Sequence, residues 1–207
     1  MDADGLKPLQ PPGNRLLSAD EPLTFVCAMG VEERIARSLG PAVRVGLGAA
    51  NGIPPEGRLV SFGIAGALRP GLEVGTVIDA TRVVDENGEV LWEGAPLGVA
   101  SARPGTILGA SRIIDHPEER ARLQAASGAD AVDMESGPLA RSGRLAGCIR
   151  AISDTPDRGL GGLAAGAKPN GDTNYAGLLR AFARAPGPTA RAARDARRAL
   201  KSLEAVA

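Results

Sequence analysis

Residues 130–154 read DAVDMESGPLARSGRLAGCIRAISD, and the fold is decided here. A strand over 130–134, a short helix over 136–145 and a strand over 148–153 form one strand–helix–strand unit. The rhythm recurs upstream. A strand at Leu23–Cys27 precedes a helix from Gly30 to Leu39, whose Val31, Ile35 and Leu39 share one face until Gly40-Pro41 ends it. Strands follow at Val43–Leu47 and Leu59–Ile64, separated by AANGIPPEG (49–57), which is too rich in Pro and Gly for a helix of any length. A turn at Ala65-Gly66 closes this part. Residues 76–84 and 89–92 form a hairpin, with Asn87-Gly88 suited to a two-residue type I′ turn.

Further along, Thr106–Gly109 reads as a strand, and Asp115-His-Pro-Glu118 as a capping box opening a helix over 116–126. Residues 159–171 (GLGGLAAGAKPNG) read as a flexible loop, and helices over 172–184 and 189–205, divided by Pro186-Gly-Pro188, finish the chain. Strands alternating with helices around a central hairpin predict an α/β three-layer sandwich on a mixed β-sheet. Residues 1–20 carry Pro8, Pro11, Pro12 and Gly13 without periodicity and are expected to be a loose lead-in. A single domain over 21–207 follows, ending in a basic helix.

Composition excludes several functions. The 207 residues carry 24 Lys+Arg against 24 Asp+Glu, so no global field attracts nucleic acid. Aromatics make up 2% of the chain, too few for a platform that stacks single-stranded bases. One histidine (His116) and two cysteines (Cys27, Cys148) cannot supply a zinc site of three or four Cys/His ligands, so no metal is expected. The two distant thiols read as buried and inert, and His116 as an exposed residue of a helix start. Gly46-Leu-Gly48 lacks the third glycine and spaced acid of a dinucleotide fingerprint. MDADGLKPLQPPG is neither a signal nor a transit peptide, and no apolar run approaches about 18 residues, so a cytoplasmic protein is expected.

Ligands of α/β sheets sit beyond the carboxyl ends of the strands. There the first strand leads into Ala28-Met29-Gly30-Val31-Glu32-Glu33, with Glu32 at the border of the buried helix face. Ser61–Gly66 brings glycines that let a ligand approach the backbone. Two later strands end in Asp133-Met134-Glu135 and Ser153-Asp154. Glu32, Glu135 and Asp154 therefore fall at one edge of one sheet.

Together these motifs resemble the nucleoside phosphorylase and nucleosidase superfamily, which cleaves the N-glycosidic bond of nucleosides. The resemblance covers residues 22–158. Met134-Glu135 is similar to its ribose signature, Ser153-Asp154 to its base-protonating pair, and Ala28-Met29-x-x-Glu32 to the water-activating start of the methylthioadenosine/adenosylhomocysteine nucleosidases. The resemblance implies Glu32 and Asp154 as catalytic residues, with Ala65, Gly66, Ile113, Asp133, Met134, Glu135 and Ser153 at the substrate. VSFGIAGALRPGLEVG (60–75), AVDMES (131–136), IRAISDTPDR (149–158) and RAFARAPGPTARAARDARRAL (180–200) resemble the hopanoid-associated phosphorylase-like nucleosidases. Those enzymes remove adenine from adenosylhopane.

The chemistry suits the residue types. An acid near N7 neutralises the departing base, a proton transfer typically worth ~10²–10⁴-fold, and it needs burial to hold its proton. Glu135 would bind two ribose hydroxyls and Met134 pack on the sugar. Glu32 as general base for water would repel a phosphate dianion, which favours hydrolysis over phosphorolysis. No cofactor is implied, with phosphate a co-substrate only of a phosphorylase. The resemblance implies a homodimer or larger homo-oligomer.

Departures from the pattern are specific. Ile64 stands where a small hydroxylated residue is common, and Gly109–Ile114 lacks the aromatic over adenine, a place left to Arg112 or Ile113. The crossover between the second and third strands is shortened. Alternatives from the residues stay open: a nucleosidase for methylthioadenosine or adenosylhomocysteine, a purine nucleoside phosphorylase, or a nucleoside-binding protein without catalysis. From residue 180 on the chain carries a net +5, with Arg191, Arg194, Arg198 and Lys201 on one helical face and Ala193, Ala196, Leu200 and Leu203 on another. That helix reads either as a solvated face docked to the body or as a peripheral contact with anionic lipid headgroups at the inner membrane surface.

Overall fold

The computed structural model describes residues 22–158, 168–172, 174 and 183–207. The expected lead-in and most of both the 159–171 loop and the 172–184 helix lie outside the described residues. Eight strands build one mixed sheet: β1 (Leu23–Cys27), β2 (Ala42–Arg44), β3 (Arg58–Ala67), β4 (Val77–Val84), β5 (Val90–Glu93), β6 (Arg103–Gly109), β7 (Ala131–Asp133) and β8 (Leu145–Asp154). The order is β2-β1-β3-β7-β6-β4-β5, and β8 pairs with both β3 and β4. The ring β3-β7-β6-β4-β8 therefore closes on itself, with β1 and β2 carried outside β3 and β5 outside β4. Pairing is parallel between β3 and β8 and antiparallel between β4 and β8. The mixed α/β sheet expected from the sequence is thus present.

Side chains of successive strand residues enter different cores, as a pleat buried on both faces requires. Phe25, Cys27, Val60 and Phe62 join Ile35, Ala199 and Leu203 in one cluster, with Phe25 and Phe62 edge-to-face at 5.8 Å. Val26, Leu59, Cys148 and Ile152 join Leu139 and Ala140 in another. Helices α1 (Gly30–Ala36) and α4 (Pro186–Val206) belong to the first cluster and α3 (Ser136–Arg141) to the second. Helix α2 (Pro117–Ser127) buries Leu123 in a third cluster with Leu68, Leu108 and Ile114.

Several expectations need correction. Helix α1 stops at Ala36, and its buried side chains are Glu32, Ile35 and Ala36, whereas Val31 and Leu39 are exposed. Of the expected stripe only Ile35 is buried, beside Glu32, whose carboxylate accepts the Met29 and Ile64 N–H groups. The second strand ends at Arg44, and a 3₁₀ turn at Leu47–Ala49 takes the place of its last residue and the start of the crossover. The turn expected at Ala65-Gly66 is strand: Gly66 pairs with Val132 and, across a bulge, with Asp154. The hairpin exists, but its turn is built from Asp85. Gly88 N–H returns to the Asp85 carbonyl at 3.0 Å and only Gly88 (φ 83°) is left-handed, so it is a type I turn with a bulge.

Helix α2 starts after an N-cap His116 that gives no side-chain cap, in place of the expected capping box; His116 is exposed. Strand β6 begins at Arg103, and α3 ends at Arg141 so that β8 starts at Leu145. Pro186-Gly-Pro188 opens α4 and does not merely precede it, because proline is tolerated in a first helical turn. Cys27 and Cys148 are free and buried, and burial pushes the Cys148 thiol up to about 12.

Candidate active site

The carboxyl ends of β1, β3, β7 and β8 open on a cavity of about 200 Å³. Ala65, Gly66, Ile113, Asp133, Met134, Glu135 and Ser153 line it together with Glu32 and Asp154, so all nine residues singled out from the sequence meet there.

Glu32 lies in the first turn of α1 with 1% of its surface exposed. The Met29 N–H donates to its Oε2 at 2.9 Å and the Ile64 N–H to its Oε1 at 3.0 Å. Ile64 thus serves Glu32 through its backbone. Burial raises the pKa of Glu32, against Arg150 and these backbone donors. A raised carboxyl is a stronger base once ionised.

Glu135, the N-cap residue of α3, is 4% exposed and accepts the Gly48 N–H at 2.8 Å. Burial pushes its pKa up to about 7, helped by the charges of Asp133 and Glu32 and opposed by Arg150. Asp133 turns away from solvent to accept from Ser136 Oγ (2.5 Å) and from Arg150 Nε (2.6 Å). Met134 lies beside the Gly48 turn.

Asp154 closes β8 and is 4% exposed. Ser153 Oγ donates to its Oδ2 at 2.7 Å, and its Oδ1 forms an ion pair with Arg120 Nη2. Burial raises its pKa, while Arg120 and Ser153 pull it down. Arg112, Ile113 and Ile114 also line the cavity, in the stretch where the sequence lacks an aromatic.

Sequence reasoning missed two arginines. Arg150, in the middle of β8, is 1% exposed and donates to Ser61 Oγ at 2.5 Å, with Glu135 Oε2 3.7 Å away. It compensates Glu32, Asp133 and Glu135 at once. Their packing explains Gly63: a Cβ there would sit 2.5 Å from Glu32 Oε1 and 2.6 Å from Arg150 Nη1. Arg120 reaches in from α2 in the same way. The available signal for Arg150 was a lone cation in an apolar strand, since a buried charge must have a partner, whereas Arg120 stands near Arg122 on a polar helix that sets neither apart. Gly48, set aside as half a fingerprint, holds Glu135. Among the described residues no cluster of His, Cys, Asp and Glu is arranged to hold a metal.

No protein-family model matches the sequence, and no curated protein sequence matches it. Solved structures do. The methylthioadenosine/adenosylhomocysteine nucleosidase of Campylobacter jejuni aligns at a TM-score of 0.53 and 17% identity, over 89% of this chain and 99% of that one. The Neisseria meningitidis nucleosidase of the same name, solved with methylthio-immucillin-A, gives 0.53 and 17% over 88% and 98%. Futalosine hydrolase of Helicobacter pylori gives 0.50 and 15% over 87% and 96%. The fold of this chain is the one these nucleosidases share.

Proposed function

We propose that the protein is an N-glycosidase that releases adenine from a 5′-substituted adenosine by hydrolysis. The observation carrying this is the meeting of Glu32, Glu135 and Asp154, from three remote stretches of chain, around one cavity. Asp154 gives its proton to N7 of the base as the C1′–N9 electron pair leaves with the purine. Glu32 takes a proton from the water that attacks C1′, and Glu135 accepts both ribose hydroxyls while Met134 packs on the sugar. Ala65, Gly66, Asp133 and Ser153 shape the floor, and Ile113 covers the base. The shared fold with nucleosidases supports the reaction class, and the negative cluster supports water over phosphate as nucleophile.

The 5′ group in this reading is apolar and the substrate adenosylhopane. Met29, Leu47 and Ile113 line the cavity, and Ile113 is 39% exposed at its rim. The enzyme would be cytoplasmic and a homodimer or larger, touching anionic lipid headgroups through α4. There Arg191, Arg194, Arg197, Arg198 and Lys201 are exposed, while Ala192, Ala199 and Leu203 are buried against the body. Because the apolar side is occupied, such contact would rest on charge and weaken with salt. No described helix is long and apolar enough to cross a membrane.

Incubation with adenosylhopane and with methylthioadenosine, each with and without phosphate, tests the reading. Adenine release without phosphate, faster for the lipid, is expected. A phosphate requirement would remove Glu32 from its role, and preference for the small thioether would remove the lipid.

A further inference from the structure

Arg120 is the less expected of the two buried cations, because it touches the very carboxyl that the proposed reaction needs in its acid form. Its guanidinium is 1% exposed and fully engaged: Nε donates to the Ile114 carbonyl at 3.0 Å, Nη1 to the Thr155 carbonyl at 3.1 Å, and Nη2 meets Asp154 Oδ1. Ala67 O lies 3.5 Å from Nη1. The anchoring carbonyls come from three different segments, so the fork is held from every side. Gly66 makes room for the pair, since a Cβ there would stand 3.0 Å from Asp154 Oδ1 and 3.2 Å from Arg120 Nη2. The pair lines the cavity and is not sealed away from it.

We propose that Arg120 is a positioning residue that holds Asp154 as a carboxylate in the empty site, so that its catalytic proton is taken from solvent only when a purine binds. This rests on the nucleosidase reading above. Removing a cation from a buried carboxylate leaves an uncompensated charge, so the ionised form is favoured while the pair is intact. A purine N7 facing Asp154 has no proton of its own and can be satisfied only by a protonated acid. Binding therefore draws one proton from solvent onto Asp154. Cleavage passes that proton to N7, the base leaves with the bond's electron pair, and the carboxylate returns to Arg120.

Other charges act on Asp154 less strongly than Arg120 does. Behind it, Asp157, Arg158 and Arg191 are exposed, and Asp195 and Asp115 are half-buried. They are of mixed sign and open to solvent screening. Across the cavity, Arg150 is paired with Asp133 and compensates Glu32 and Glu135. Among the described groups Arg120 is the cation in contact with Asp154.

The test is proton uptake on binding, measured by calorimetry at neutral pH in buffers of different ionisation enthalpy. Two ligands that cannot be cleaved are compared: carbocyclic adenosine, whose N7 is a bare acceptor, and 9-deazaadenosine, whose N7 carries a hydrogen. The wild-type protein is expected to take up about one proton with the first and none with the second. Arg120→Met, whose Asp154 is already protonated when empty, should take up less than half a proton with the carbocyclic ligand, and Arg120→Lys should restore uptake. Equal uptake for both ligands, or unchanged uptake in Arg120→Met, overturns the proposal. If Arg120→Met does not fold, the carboxyl signal of Asp154, assigned by its loss in Asp154→Asn, decides by NMR: a neutral acid in the empty wild-type site at neutral pH overturns it. A protein that binds neither ligand refutes the nucleosidase reading itself, whereas binding without the difference in protons refutes only the role of Arg120.

Discussion

Two buried arginines and three carboxylates carry the account at the residue scale. Glu135 is the group whose titration should be visible near neutrality, because burial with Asp133 and Glu32 nearby raises it to about 7. The folded form then binds its proton more tightly than the unfolded chain does. Its contribution favours folding below the ordinary carboxyl range and is lost as pH rises through about 7. Glu135→Gln should flatten the fall in stability between pH 5 and 7 in urea titrations, and an unchanged slope would assign that fall elsewhere. Asp154→Asn should lose ~10²–10⁴-fold in kcat while binding an uncleavable adenosine analogue with little change. Gly63→Ala drives a methyl between Glu32 and Arg150 and should cost about 1–3 kcal/mol, read by denaturation, together with most of the activity. The carboxylates Glu32, Glu135 and Asp154 were legible just beyond strand ends, whereas the other cavity residues, Ile113 among them, came from the family resemblance. Arg120 and Arg150 were not legible, because what holds them is remote: Arg120 reaches Ala67, 53 positions away, and Arg150 reaches Ser61, 89 positions away.

Elements were legible where local chemistry decides them, and missed where pairing does. The two strands of the hairpin and the strand–helix–strand unit of 130–154 stand much as read, although a type I turn with a bulge replaces the expected type I′ turn at Asn87-Gly88. By contrast, β3 runs on through Ala65-Gly66-Ala67 because β7 and β8 receive its backbone there, a demand no local signal carries. Val31, Ile35 and Leu39 looked like a buried stripe, but α1 ends before Leu39 and turns Glu32 and Ile35 inward with Val31 exposed. Helix α4 is anchored by Ala199 and Leu203, both fully buried. Leu203→Ala should destabilise the fold by ~2–5 kcal/mol in chemical denaturation. Reversing Arg194 and Lys201 to Glu should leave stability within about 0.5 kcal/mol, since both are exposed. The same change should abolish sedimentation with anionic vesicles at low salt, and retained sedimentation would exclude α4 as the contact.

Across the whole molecule, the closing of β3-β7-β6-β4-β8 into a ring explains why four remote stretches share one mouth. Parallel β3 and β8 bring Gly66 level with Asp154, and β6 beside β7 brings Gly109 level with Asp133. The alternation of strands and helices could be read from the chain, but the closure could not, because it depends on β8 meeting both β3 and β4 through contacts far apart in sequence. The shortened crossover, reduced to a 3₁₀ turn, still delivers the Gly48 N–H to Glu135. One reaction run in ¹⁸O-labelled water, without phosphate and with a 5′-alkyl adenosine as substrate, tests the central claim most directly. The account predicts free adenine and a sugar carrying the label at its anomeric carbon. Intact nucleoside bound to the folded protein, or an unlabelled sugar phosphate formed only once phosphate is added, would contradict it.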